Sequence, residues 1–128
     1  MTRSACVGLL LAAACLCGCS ALETSSDFRG VTVDRNVEPV AVVAAENSGW
    51  YLFGRLPMIT GDPERPGHVR FFHDTVTLEN NVRMVAAKAR LENATNIVNL
   101  TSRVHDDLAI GLFVFGRRLV VTSAVIAR

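Results

Sequence analysis

The most informative absence in the sequence is that of cysteine, which does not occur after residue 19 although the chain contains four. A disulfide framework needs cysteines spread over the fold that they connect, so the body of this chain is not held together by disulfides. Lysine is scarcer still, since Lys88 is the only one among thirteen basic residues. The formal net charge of +1 indicates no basic surface of the kind that neutralises nucleic-acid phosphates. We therefore expect neither a disulfide scaffold nor a nucleic-acid-binding protein.

The short motifs of common catalytic and cofactor sites are also absent. The sequence has no Gly-x-Ser-x-Gly nucleophile motif, no phosphate-binding loop, no dinucleotide fingerprint and no His-Glu-x-x-His zinc motif. We therefore expect a protein that is not an enzyme and that holds no cofactor.

The three histidines, His68, His73 and His105, are the only candidates for a metal site outside the N-terminal cysteines. Their spacing does not place two imidazoles one turn apart on a helix, so we expect no metal. Asp74 directly follows His73, and an enzyme that uses His73, Asp74 and His105 is the third of three functional hypotheses.

The N-terminus is typical of a signal peptide. Arg3 precedes an uncharged apolar run over residues 5–17. A helix of that length spans about 20 Å, whereas the hydrocarbon core of a bilayer is about 30 Å thick. The run is therefore too short to cross a membrane and has the length of a signal-peptide core.

Leu16-Cys17-Gly18-Cys19 resembles the lipobox of bacterial lipoproteins. The resemblance covers about the first twenty residues. It implies that the Cys19 thiol receives a diacylglyceryl group, that a signal peptidase cleaves between Gly18 and Cys19, and that the new amino terminus is acylated. Ser20 follows, where aspartate commonly retains lipoproteins in the inner membrane, so the resemblance favours the outer membrane, facing the periplasm.

Two alternatives for the cysteine cluster stay open. Cys15, Cys17 and Cys19 are candidate ligands of a thiolate metal or redox site, although zinc sites usually use Cys-x2-Cys pairs. The second alternative is a protein that is secreted without a lipid anchor. With the lipoprotein interpretation, the domains are a signal peptide over residues 1–18, a lipidated flexible tether over residues 19–36, and one folded domain over residues 37–128.

Apolar periodicity predicts the elements of that domain. Residues 38–45 form a continuous β-branched run typical of a central strand, and the polar residues 46–49 are expected to end it before a second strand at residues 50–54. Residues 95–104 alternate like a strand with one solvated face. Residues 108–127 are typical of a hairpin, with strands at 108–115 and 119–127 and the turn at 116–118.

A helix is predicted over residues 76–92, with Asp74, Thr75 or Thr77 as its N-cap. One helix with about four or five mainly antiparallel strands indicates an α+β fold, a small two-layer sandwich. The apolar stripe expected to face the sheet consists of Leu78, Val82, Val85, Ala86 and Ala89.

Aromatic side chains provide the one candidate binding surface. It consists of Trp50, Tyr51, Phe53, Phe71 and Phe72. Core packing is the ordinary role of such residues, and a ligand or partner surface is the functional alternative. We therefore expect a lipid-anchored, non-enzymatic envelope protein that contacts the membrane through its anchor and other envelope proteins through its domain. The alternative is a periplasmic ligand-binding module built on the aromatic cluster.

Overall fold

The computed structural model describes residues 18–29, 31, 33, 36–108 and 115–128. Within them the chain forms β1 (Ser20–Ser25), β2 (Pro39–Leu52), β3 (Leu56–Gly61), β4 (Val69–Phe71), α1 (Leu78–Leu91), β5 (Asn96–Leu108) and β6 (Phe115–Ala127). The strands form one antiparallel sheet in the order β4-β3-β2-β6-β5, and β1 also pairs with β2. The predicted α+β class is confirmed, with six strands among the described residues instead of four or five.

Several predicted features lie outside the described residues. They are the signal-peptide run over residues 1–17, tether residues 30, 32, 34 and 35, and residues 109–114 of the first strand of the predicted C-terminal hairpin.

The sixth strand comes from the segment that was expected to be a flexible tether. Ser20–Ser25 forms β1 and pairs with residues 42–47 of β2, while β3 pairs with residues 49–52 on the same edge. This strand has no apolar signal in the sequence, because β1 is mostly polar and only its first three residues are buried or partly buried. β2 is long enough to hold two partners end to end on one edge, and this pairing orders the start of the predicted tether.

The expected break within residues 46–49 is wrong, since β2 continues through it. β6 pairs with β2 from Pro39 to Leu52 and supplies the hydrogen-bonding partner throughout. Asn47 and Ser48 are buried but bonded: the Asn47 side-chain amide donates to the Thr75 carbonyl at 2.6 Å, and the Ser48 backbone N–H donates to the Cys19 carbonyl at 2.7 Å. Most of the buried polar groups here have partners, although the Asn47 Oδ1 accepts no hydrogen bond from the described residues.

α1 begins after Thr77, one of the three predicted caps, whose hydroxyl accepts a hydrogen bond from the Asn80 backbone N–H at 3.2 Å. Its buried stripe differs from the prediction, because Asn81 and Met84 are buried whereas Leu78 is half exposed. The Asn81 amide donates to the carbonyls of two sheet residues, Ala45 and Val120. These two hydrogen bonds fix the rotation of the helix about its axis. The sequence prediction missed this because it was based on apolar residues and asparagine is polar.

Alternation along the strands divides the sheet into two faces. The proximal face is the one that carries Val43, Ala45 and Ile126, which join Met84 and Val85 of α1 in the main core cluster. The distal face is the opposite one, and it carries the intervening residues, such as Val42, Ser48 and Trp50 of β2.

Candidate functional site

Cys19 lies at the junction where β1 and β3 meet end to end. Its backbone N–H donates to the Ser48 hydroxyl at 3.2 Å, and its carbonyl accepts the Ser48 backbone N–H. The register of β1 places Cys19 opposite Ser48, and alternation from the buried Ser20 puts the Cys19 side chain on the distal face. The thiol is free and exposed.

Two glycines make this junction possible. A Cβ on Gly61, the last residue of β3, would overlap the carbonyl carbon of Cys19, so only glycine fits between the two strand ends. Gly18 is also buried, and a Cβ there would lie 2.8 Å from the Ile59 carbonyl oxygen. The chain that leads into Cys19 therefore contacts the backbone of β3.

The predicted aromatic cluster is divided between the two faces. Three of its members line a cleft of about 300 Å³ on the distal face, whose walls are entirely apolar. The lining residues are Trp50, Met58, Ile59, Phe71, Phe72 and Phe115. We name this feature the aromatic cleft.

Backbone geometry brings Phe71 and Phe72 to the same cleft. Successive residues of a strand point to opposite faces, but Phe72 has a φ of +58° and so leaves the extended conformation directly after β4. A left-handed conformation costs a residue other than glycine about 1–2 kcal/mol. Both rings stay largely in solvent, with 57% of Phe71 and 70% of Phe72 exposed.

Tyr51 does not belong to the cleft. It faces the proximal side, is 2% exposed, and donates its hydroxyl to the Asp74 carboxylate at 2.6 Å. Burial and this hydrogen bond raise the pKa of the Tyr51 phenol well above its ordinary value of 10.0. The Arg118 guanidinium lies 5.0 Å from the centre of the ring. Tyr51 is therefore part of the polar framework of the core.

Phe53 does not line the cleft either. It lies in the turn between β2 and β3 with a φ of +53° and is 65% exposed.

Sequence reasoning missed three cleft residues, namely Met58, Ile59 and Phe115. Ile59 pairs with both Trp50 and Phe71 across neighbouring strands, so the register of β2, β3 and β4 brings the three side chains together on one face. Strand alternation gave a signal for Ile59, but the pairing of β3 with β2 had to be known before it could be used.

The histidines do not converge. His68 and His73 flank β4 at one edge of the sheet, whereas His105 belongs to β5 at the other edge. Four strand spacings separate these edges, roughly 19 Å. The His105 Nε2 lies 2.9 Å from the Asp107 carboxylate. Among the described residues no three histidine, cysteine or acidic side chains are grouped as metal ligands would be.

A second, polar cleft of about 520 Å³ lies between α1 and the loop that follows β3. His73 and Asp74 line it with Arg70, but the Asp74 carboxylate accepts from Tyr51 and the His73 Nδ1 lies 3.1 Å from the Phe71 carbonyl oxygen. These contacts hold the loop against the sheet, and they do not pair His73 with Asp74.

Arg70 links the same loop to β4. Its guanidinium lies 3.1 Å from the Asp62 carboxylate and 2.7 Å from that of Glu64. Burial opposes ionisation of Asp62, but the hydrogen bonds from Arg70 and from the Glu64 backbone outweigh it, so the pKa of Asp62 is lowered.

None of the helices in the described part of the chain has the length and apolarity that a membrane span requires. No protein-family model matches the chain, and no curated protein or solved structure is similar enough to it to count as a match.

Proposed function

We propose that this protein is a small, non-enzymatic lipoprotein of the bacterial cell envelope, anchored through Cys19 and, by the lipobox pattern with Ser20, in the outer membrane. The observation that supports this proposal is the lipobox-like sequence together with the position of Cys19, which is exposed at the surface of the domain. The Cys19 nitrogen donates one hydrogen bond, to Ser48. An acylated amino terminus is an amide that keeps one N–H, so this hydrogen bond is compatible with the mature, triacylated form.

Several acyl chains on one residue give a stable anchor, because each buried methylene contributes about 0.8 kcal/mol and one chain alone binds a membrane only marginally. In this proposal Cys15 and Cys17 leave with the signal peptide and have no role in the mature protein. The domain contacts other envelope proteins.

The test compares two cysteine substitutions in cells supplied with labelled palmitate. Cys19→Ala removes the attachment atom, and we expect it to abolish label incorporation and processing. Cys17→Ala is the matched control, because alanine suits the position two residues before the cysteine, and it should keep both. A Cys19→Ala protein that still incorporates palmitate would contradict the proposal, as would equal loss in both variants.

A ligand-binding module is the second candidate, and the aromatic cleft is the observation that favours it. Its apolar walls and its volume of about 300 Å³ suit an apolar small molecule. Native mass spectrometry of the purified protein tests this, since a bound molecule that disappears when Trp50 or Phe71 is replaced would support it. In-cell crosslinking that yields only protein partners would count against it.

We further propose that α1 and the sheet form the two-layer arrangement that the sequence predicts. The support is the core cluster that Met84, Val85 and Ala89 make with β2 and β6. Amide hydrogen exchange should then protect α1 as strongly as β2, and exchange from α1 at the rate of an isolated helix would contradict it.

A further inference from the structure

We propose that the distal face, at the aromatic cleft, lies against the phospholipid bilayer and inserts Phe71 and Phe72 into its interfacial layer. This inference rests on the proposed anchoring of the protein at Cys19, and it adds an orientation and a second membrane-binding surface.

The position of the anchor is the first argument. Cys19 lies opposite Ser48 on the distal face, and Trp50 follows Ser48 by two residues on the same strand and the same face. At about 3.3 Å per residue, this separation along the strand is roughly 7 Å. A lipid on Cys19 is therefore attached beside the cleft.

The absence of a spacer is the second argument. β1 begins at Ser20, directly after the anchored residue, and its pairing with β2 fixes Cys19 to the sheet. A domain joined to its anchor by a long flexible segment can stand away from the bilayer, but this one cannot. The anchor therefore keeps the distal face at a high effective concentration near the membrane, where even weak apolar contacts form.

The chemistry of the surface is the third argument. The cleft has no polar or charged lining residue, and Phe71 and Phe72 beside it are more than half exposed. The left-handed backbone at Phe72 holds both rings at this site against an intrinsic cost. Exposed aromatic and aliphatic side chains on one face are typical of proteins that lie in the membrane interface. No polar atom is exposed in the lining, so an anionic ligand would find no charged partner there.

The experiment uses Trp50, the only tryptophan of the chain, as its probe. The full-length protein, processed in cells and purified from membranes, is reconstituted into vesicles of phosphatidylcholine and phosphatidylglycerol with or without brominated acyl chains. We expect brominated lipid to quench the Trp50 emission at least about twofold, since bromine quenches only on close approach to the ring, and we expect the bilayer to shield Trp50 from iodide. Emission that is unaffected by brominated lipid would overturn the proposal.

Variants test which residues make the contact. The double substitution Phe71→Ser/Phe72→Gly should reduce the quenching by about half or more. Leu91→Ser is the matched control, because Leu91 is 77% exposed but belongs to α1 on the other side of the sheet, and its quenching should equal that of the original chain. Equal quenching in the double variant and the control would contradict the assignment of the contact to this face. If the double variant does not fold, as judged by circular dichroism, the quenching of the original chain decides alone.

Other occupants give different results. A second copy of the chain, a protein partner or the protein's own acyl chain folded into the cleft would shield Trp50 from iodide without quenching by brominated lipid, and this would overturn the proposal. The intact mass of the same sample separates the two hypotheses. An unlipidated Cys19 would reject the proposed anchor, whereas a lipidated chain with unquenched Trp50 would reject only the orientation.

Discussion

The two faces of the sheet differ in which side chains they bury and which they expose. On the proximal face, polar groups are buried and bonded, as with Asn81 on the sheet carbonyls and Tyr51 on Asp74. On the distal face, apolar groups such as Phe71 and Phe72 lie in solvent, and one of them has an unfavourable backbone conformation. The proximal face therefore supplies buried, hydrogen-bonded contacts that stabilise the fold, whereas the distal face leaves exposed an apolar surface that we propose contacts the membrane.

The largest effect should follow the loss of Asn81. Asn81→Ala removes two hydrogen bonds that hold α1 to Ala45 and Val120, and we expect the free energy of unfolding to fall by about 2–4 kcal/mol. Chemical denaturation measures this change in the free energy of unfolding. Asn96→Ala is the control, because Asn96 is exposed and should change stability by less than about 0.5 kcal/mol. Similar losses in both variants would show that Asn81 does not fix the helix.

A smaller effect is expected at Tyr51. Tyr51→Phe removes the hydrogen bond to Asp74 and should cost about 1–2 kcal/mol at neutral pH. The folded-state pKa is raised above the ordinary value of 10.0, so the stabilisation is complete below pH 10 and is lost as the pH rises further. Tyr51 is the only tyrosine, so phenolate absorbance reports it alone. Ionisation near pH 10 with the fold intact would contradict the prediction.

The smallest effect on stability should occur on the distal face. Phe72→Gly relieves a left-handed backbone conformation, and the entropy of glycine in the unfolded chain offsets part of the gain. We expect the free energy of unfolding to be unchanged or higher by up to about 1 kcal/mol, as thermal and chemical denaturation would show. A loss of more than about 2 kcal/mol would mean that Phe72 is a core residue and would end the contrast between the faces.

The sequence predicted those parts of the fold in which apolar periodicity and the local structure agree. It predicted α1 with Thr77 among its caps and the strand character of residues 38–45. The hairpin predicted within residues 108–127 is wrong, because residues 116–118, the expected turn, lie inside β6 and pair with both β2 and β5. The prediction failed where pairing with residues distant in the chain determines the structure. β1 is polar and becomes a strand by pairing with the edge of β2 that β6 leaves free. Residues 46–49 stay extended because β6 pairs with them.

The candidate site follows the same rule. Cys19 was predicted as a lipidation site because Leu16-Cys17-Gly18-Cys19 is a local pattern that resembles a lipobox, and this stays a prediction. The aromatic cluster was only partly predicted, because Tyr51 and Trp50 are neighbours in sequence but lie on opposite faces, and Met58, Ile59 and Phe115 join the cleft through strand pairing. The left-handed conformation of Phe72, which brings two successive rings together, has no sequence signal.

We propose that Cys19 is the lipidated first residue of the mature protein. The intact mass, with fragmentation, of the protein extracted from bacterial membranes tests this most directly. We expect a polypeptide that begins at Cys19 and carries a diacylglyceryl group on its sulfur and an acyl group on its nitrogen. A chain that retains Gly18, or one whose Cys19 carries no lipid, would contradict it.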